Sequence, residues 1–480
     1  MIVTSNTKDS MKRFLIILLA LKACLIAHTA AEKPNIVFLL ADDMNRDTWG
    51  IYGSKDCKTP NIDKLADDGM KFHRAYCSVA MCAPFRQELY SGRSPWRTGT
   101  LANHSRSKAG TRSLPHYLKP LGYRVALSGK SHVGPQGAYP FEILKTKTSK
   151  TKDSNGAFIE TANKFFDECR EKKTPFCLFI ASNDGHAPFT TGDASQYDKD
   201  KLTIPPYWLD TPVLREHLVK YYAEITNFDR LVGMVRASLE KKGLWKNTLF
   251  VVCSEQGVQF PFAKWTCYDN GLHTGMVMSW PGVIKAGSQA GTLISMADVA
   301  PTFVDAAGGK LKEGDVDGKS FLKTLRGEKQ VLHEYVFGAF TNCNISANRD
   351  RIFPIRSIRS EGFSLLYNPN YRQQTSNITL STEGSPGMSW HALKGKSEKA
   401  DALIRKLHHR PEFELYDLKN DPYELRNVNG KPEYEEVAER MKKALRAKLK
   451  ELGDSDPIAT EKSLVKGGGK DGGGKKRKRK

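Results

Sequence analysis

Four short apolar runs, widely separated along the chain, each stop at a polar cluster, and no other feature constrains the fold as much. Residues 35–41 lead into Asp42-Asp43, and residues 124–128 into Gly129-Lys130-Ser131-His132. Residues 176–181 lead into Asn183-Asp184-Gly185-His186, and 248–253 into Ser254-Glu255-Gln256-Gly257. Continuous apolar runs without alternation mark strands covered on both faces. Helical segments lie between them. One starts at Thr59-Pro60, and a long one over 213–239 carries Leu214, Leu218, Tyr221, Ile225, Phe228 and Leu231 at helical spacing. Strands alternating with helices predict an α/β fold on a large, mostly parallel or mixed sheet flanked by helices. Ligands of such sheets bind beyond the carboxyl ends of the strands, so the four clusters are expected to meet at one edge.

Past residue 300 the pattern changes. Strands are expected near 334–338, 363–367 and 413–416, and a charged helix over 434–452. This reads as a smaller C-terminal α+β domain with an antiparallel sheet. The expected division is a catalytic domain over 33–330, the α+β subdomain over 331–455 and a disordered basic tail over 456–480. Residues 1–31 read as a signal peptide: Met11-Lys12-Arg13 precede a short apolar stretch, and Thr29-Ala30-Ala31 supply a cleavage site. No other segment is long and apolar enough to span a bilayer. An exported protein, periplasmic, extracellular or in a lysosome-like compartment, is therefore expected.

Apolar residues at 39% and aromatics at 10% exclude a disordered or collagen-like chain. The nine cysteines show no Cys-x-x-Cys pair, so neither a zinc site nor a disulfide framework is indicated, although export leaves room for one or two bridges. The net charge is +21, and the low-complexity stretch from Lys466 contributes part of it. This suits a polyanionic substrate. Nucleic acid is not an expected partner, and the oligomeric state stays open, a dimer included.

Two adjacent acids at a strand end, Asp42 and Asp43, would by themselves cap the following turn. Joined by Glu255-Gln256 at another strand end, they give three carboxylates and an amide oxygen, a set suited to Ca²⁺ or Mg²⁺. Lys130, His132, His186 and Lys264 add cationic or protonatable groups. Each alone is an ordinary polar residue; together with a metal they describe a site for an anion with three equatorial oxygens. Residue types and spacing thus reach a metal-dependent site for phosphate or sulfate esters and leave the choice open.

The run Cys82-Ala83-Pro84-Phe85-Arg86, followed by Ser91-Gly92-Arg93-Ser94-Pro95-Trp96-Arg97-Thr98-Gly99, resembles the two consecutive signatures of the formylglycine-dependent sulfatases of the alkaline phosphatase superfamily. Gly129-Lys130-Ser131-His132-Val133-Gly134 is similar to a further family signature. Lys264, Trp280-Pro281-Gly282 and Leu415-Tyr416-Asp417-Leu418 are similar to later family segments. The likeness spans about residues 34–455. It is greatest to the heparan N-sulfatases (N-sulfoglucosamine sulfohydrolases), through Tyr139-Pro140-Phe141, Gln259-Phe260-Pro261-Phe262 and Pro354-Ile355-Arg356-Ser357.

The resemblance implies an alkaline phosphatase-like fold and hydrolysis of sulfate esters or N-sulfates of a sulfated sugar. It implies that a formylglycine-generating maturation enzyme oxidises Cys82, and that the hydrated aldehyde attacks sulfur. One divalent cation, Ca²⁺ ahead of Mg²⁺, would be held by Asp42, Asp43, the matured Cys82, Glu255 and Gln256. His186 and Lys264 would serve the leaving group, and His132 would be the base that releases sulfate. Arg86 and Lys130 would hold the diol and neutralise charge. The chain departs from the family at Glu255-Gln256, usually Asp followed by Asn or His, at Phe85, usually Ser or Ala, and before His186, usually Pro. Two alternatives stand beside this: a phosphodiesterase or phosphonate hydrolase of the same superfamily, and a catalytically silent glycan-binding relative. His104, Arg106, Tyr371, Trp390, His391 and His409 are candidates for a substrate-reading rim, each more readily explained as structural.

Overall fold

The computed structural model describes residues 33–148, 153–345 and 351–467. The leader read over 1–31 and the basic stretch from residue 468 lie outside them. Eight strands form the main sheet: β1 (Asn35–Ala41), β2 (Met70–Phe72), β3 (Arg124–Gly129), β4 (Glu142–Leu144), β5 (Phe176–Ala181), β6 (Thr248–Ser254), β7 (Met276–Ser279) and β8 (Ser288–Ala290). Their spatial order is β8-β2-β7-β6-β1-β5-β3-β4. Only β7 runs antiparallel to its neighbours.

Every residue of β1, β5 and β6 is buried, as continuous apolar runs require. The alternation of side chains explains what covers them. Phe38 and Phe179 point to one face, where Phe303 of the helix Val299–Ala306 and Tyr90 of α2 (Cys82–Ser91) pack on them. Phe176 points to the other, against Phe165 and Phe166 of α3 (Asn155–Glu171). Each such buried ring contributes about 1.5–3 kcal/mol, so the sheet is a stiff frame. Helix α4 (Pro212–Lys241) packs against α3 and against α1 (Pro60–Asp67).

The second sheet is antiparallel throughout, in the order β9 (Val336–Phe340), β10 (Ile355–Arg359), β11 (Phe363–Tyr367), β12 (Phe413–Asp417). Helix α5 (Glu435–Glu451) packs on it. The two sheets are stitched together: Ala339 N donates to Ser78 O at 2.8 Å, and Arg359 pairs with Asp269.

One expectation is corrected here. The tail read as disordered from 456 instead continues as α6 (Pro457–Gly467). Asp456 accepts from Ile458 N and Ala459 N, each at 3.0 Å, and Pro457 occupies the first helical position. Burial of Glu461, which accepts from Asn342 N at 2.5 Å, fixes the helix to the body. Among the described residues Cys57, Cys77, Cys82, Cys169, Cys177, Cys253 and Cys267 are buried thiols outside any disulfide. No described helix is long and apolar enough to cross a membrane.

Candidate active site

The register of the central strands lays out the site. Leu40 pairs with Ala181 and Cys253, Ala41 with Ser254, and Gly129 with Ala181, so Asp42, Lys130, Ser182 and Glu255 leave the sheet at one edge. Backbone bonds extend the pairing: Glu255 N donates to Ala41 O, Lys130 N to Ala181 O and Ser182 N to Leu40 O, each at 3.0 Å. The next turns are tight. Asp43 takes φ +45°, and Gly185 takes φ +96° with a Cβ position only 2.1 Å from Asp42 O. Only glycine lets the loop bearing His186 approach this closely.

Cys82 is the first residue of α2, where free backbone N–H groups and the helix dipole favour negative charge. Its thiol lies 3.6 Å from Asp43 Oδ1 and receives Gln256 Nε2 at 3.4 Å. Gln256 Nε2 also donates to Asp43 Oδ1. Lys264 Nζ donates to Asp43 Oδ2, and Lys130 Nζ to Asp42 Oδ2. His186 Nε2 is 3.7 Å from Asp43 Oδ2, while its Nδ1 meets Ala187 O at 2.6 Å, which orients the ring. Arg86, one turn into α2, pairs with Glu255 at 2.5 Å and donates to Lys130 O at 2.6 Å. Lys264 is held beside α2 because Trp265 N donates to Ala80 O at 3.2 Å. All the residues expected from the sequence, Asp42, Asp43, Cys82, Arg86, Lys130, His132, His186, Glu255, Gln256 and Lys264, therefore converge.

The longer side chains of Glu255 and Gln256 still reach the cluster, since ligand atoms of Asp42, Asp43, Cys82 and Glu255 lie within 4.8 Å of one another. Phe85 departs from the family without touching the site; its ring is buried in the core. Two buried oxygens, Asp42 Oδ1 and Gln256 Oε1, have no hydrogen-bond donor, while Glu255 Oε1 faces only Arg86 Nε. An all-oxygen set with carboxylates and unpaired lone pairs fits a hard divalent cation.

Electrostatics separate the groups. Burial, and then Asp42, Asp43 and Glu255, push the Cys82 thiol well above its ordinary range. Burial would also raise Asp42, but Lys130, Glu255 and Arg86 outweigh it and hold this carboxyl well below the usual range. Burial raises Glu255, with Arg86 opposing. Burial, Lys130 and Arg86 depress His132 to about 3, so its ring is neutral. Its Nε2 meets His104 Nδ1 at 2.8 Å, leaving Nδ1 as a buried ring atom without a partner.

Of the rim candidates, His104 meets His132, and Arg106 lies over Gly134. Trp390 is buried against Phe262 instead, and His391 and His409 line a separate cavity of about 550 Å³ with His408. Tyr371 sits in the turn after Asn368. Sequence reasoning missed the supports. Asn45 accepts from Val258 N at 2.7 Å, and Glu224 on α4 accepts from Gly185 N at 2.8 Å and Thr190 N at 2.7 Å. A carboxylate between Tyr221 and Phe228 on the apolar stripe was the available signal.

Residues 34–309 match the family model described as Sulfatase, and residues 257–377 and 391–451 that described as N-sulphoglucosamine sulphohydrolase, C-terminal. An ulvan-active sulfatase of Formosa agariphila is 34% identical over 440 residues, 88% of this chain and 81% of the relative. The N-sulphoglucosamine sulphohydrolase of Homo sapiens is 26% identical over 467 residues, 86% of this chain and 89% of the relative. A solved structure in complex with its substrate D-glucosamine-2-N,6-O-disulfate shares the fold, with a TM-score of 0.65 at 20% identity, covering 89% of this chain and 99% of that one.

Proposed function

This chain belongs to the sulfatase family and is a hydrolase of sulfate esters or N-sulfates, and on that premise we propose that it is exported and desulfates a sulfated saccharide using a matured Cys82. The observation that carries this is the Cys82 thiol at the head of α2, touching Asp43 and Gln256. Burial and the surrounding acids keep that thiol protonated, so a thiolate nucleophile is disfavoured there. Conversion to formylglycine by a maturation enzyme supplies, as the aldehyde hydrate, an oxygen nucleophile in its place. A single Ca²⁺ on Asp42, Asp43, residue 82, Glu255 and Gln256 would, when bound, offset the acids and polarise the sulfate.

The chain's own groups then have distinct tasks. Lys130 and Arg86 neutralise charge beside Asp42 and Glu255 and hold the diol. His186, its Nδ1 tied to Ala187 O, presents Nε2 to protonate the leaving oxygen or nitrogen. Lys264 stabilises the charge that grows there. The neutral ring of His132 accepts the proton whose removal lets sulfate depart. The leader read over 1–31 supports export.

Peptide mass spectrometry tests the nucleophile: SH and one hydrogen at residue 82 should be replaced by oxygen. On sulfated saccharides Cys82→Ala and His186→Ala should fold normally and lose about 10³-fold or more in kcat. Full turnover in Cys82→Ala would refute the proposal.

A further inference from the structure

Arg106 is exposed, two residues after His104, and makes no hydrogen bond or ion pair among the described residues. Its backbone is nevertheless rigidly held. The buried amide of Gln87 on α2 donates to Ser105 O at 2.9 Å and accepts from Ser107 N at 2.8 Å and Ser107 Oγ at 2.9 Å, bracketing Arg106 on both sides. Ser107 N also donates to Gly134 O at 2.8 Å. Gln87 is five residues along the helix that Cys82 opens, a rise of about 7.5 Å. The guanidinium lies over Gly134: a Cβ there would come within 2.7 Å of Arg106 Nε, so this glycine leaves the space the side chain uses. Gly134 follows His132, whose ring pairs with His104 at 2.8 Å. A cation is thus anchored through Gln87 to the nucleophile helix and lies over the segment that follows His132, with no counter-charge among the described residues.

We propose that Arg106 is a specificity residue that binds a second anionic group on the saccharide, separate from the sulfate being cleaved. This rests on the sulfated-saccharide reading above. The ligand chemistry is an oxyanion, a second sulfate or a uronate carboxylate, gripped by the planar fork of the guanidinium. The other site cations already face Asp42, Asp43 or Glu255, whereas Arg106 has its full donor set available.

The test is binding by titration calorimetry to full-length Cys82→Ala protein, with three otherwise matched oligosaccharides: monosulfated, disulfated, and monosulfated with a uronate. Wild type at 106 should prefer one or both doubly charged ligands. Adding Arg106→Ala should reduce that preference about tenfold, and Arg106→Lys should restore only part of it. The preference should also weaken with salt. An unchanged preference in Arg106→Ala, or no preference in the parent, overturns the inference. Absence of desulfation by protein whose residue 82 is matured would instead count against the function proposed above, because the binding readout needs no turnover.

Discussion

Lys264 and Asp43 show how much the site depends on single buried charges. The lysine side chain is 4% exposed and the aspartate not at all. Burial lowers the lysine's proton affinity, but Asp43 and the acids around it raise it further, so Lys264 stays charged. Removing one partner of such a pair costs about 3–5 kcal/mol when nothing replaces the lost charge. A divalent cation beside Asp43 would replace it. Lys264→Met should therefore lower Tm far more in chelator than in saturating Ca²⁺, as read by scanning calorimetry; equal losses would exclude a cation at Asp43. At this scale the sequence was highly legible, because acids, lysines and histidines at strand ends announce themselves by type. The reach of Glu255 was not legible, since one methylene matters only once the backbone positions of β1 and β6 are known.

The period of α4 could be read directly from its leucines and aromatics, yet its most consequential residue for the site breaks that period. Glu224 joins the helix to the His186 loop by bonds from Gly185 N, Thr190 N and Thr191 N. Burial raises this carboxyl from 4.5 to about 7, with the amide bonds opposing and Asp184 adding to the rise. An acid whose folded pKa lies above its unfolded value stabilises the fold most at low pH, and that contribution declines as pH rises from about 4.5 to about 7. Glu224→Gln should abolish this decline, whatever its effect on absolute stability. Urea unfolding between pH 4.5 and 8 measures it, and an unaltered pH slope would show that Glu224 is ionised throughout.

Across the whole molecule, the C-terminal segment ties the run after Cys82 to the second sheet. Asp454 accepts from Trp96 Nε1 at 2.7 Å, from Arg356 Nε at 2.5 Å and from Thr460 Oγ1 at 2.6 Å. Trp96 belongs to the run after Cys82, and Arg356 to β10. Ending the chain at Asp456 would remove α6 and leave Asn342 N without Glu461, a loss of about 1–3 kcal/mol for that buried donor. Urea unfolding should register a lower midpoint; an unchanged midpoint would mean that α6 adds nothing to the body.

Local patterns set the buried strands, the long helix, the polar clusters and the residue types of the site, because each depends on neighbours within a turn or a strand. Packing alone decided the rest. Arg106 became an unpaired cation over Gly134, Glu224 the anchor of a distant loop, and the segment after Asp456 an ordered helix. Those outcomes depend on contacts between segments far apart in the chain, and such contacts exist only once strand register and helix packing set the distances.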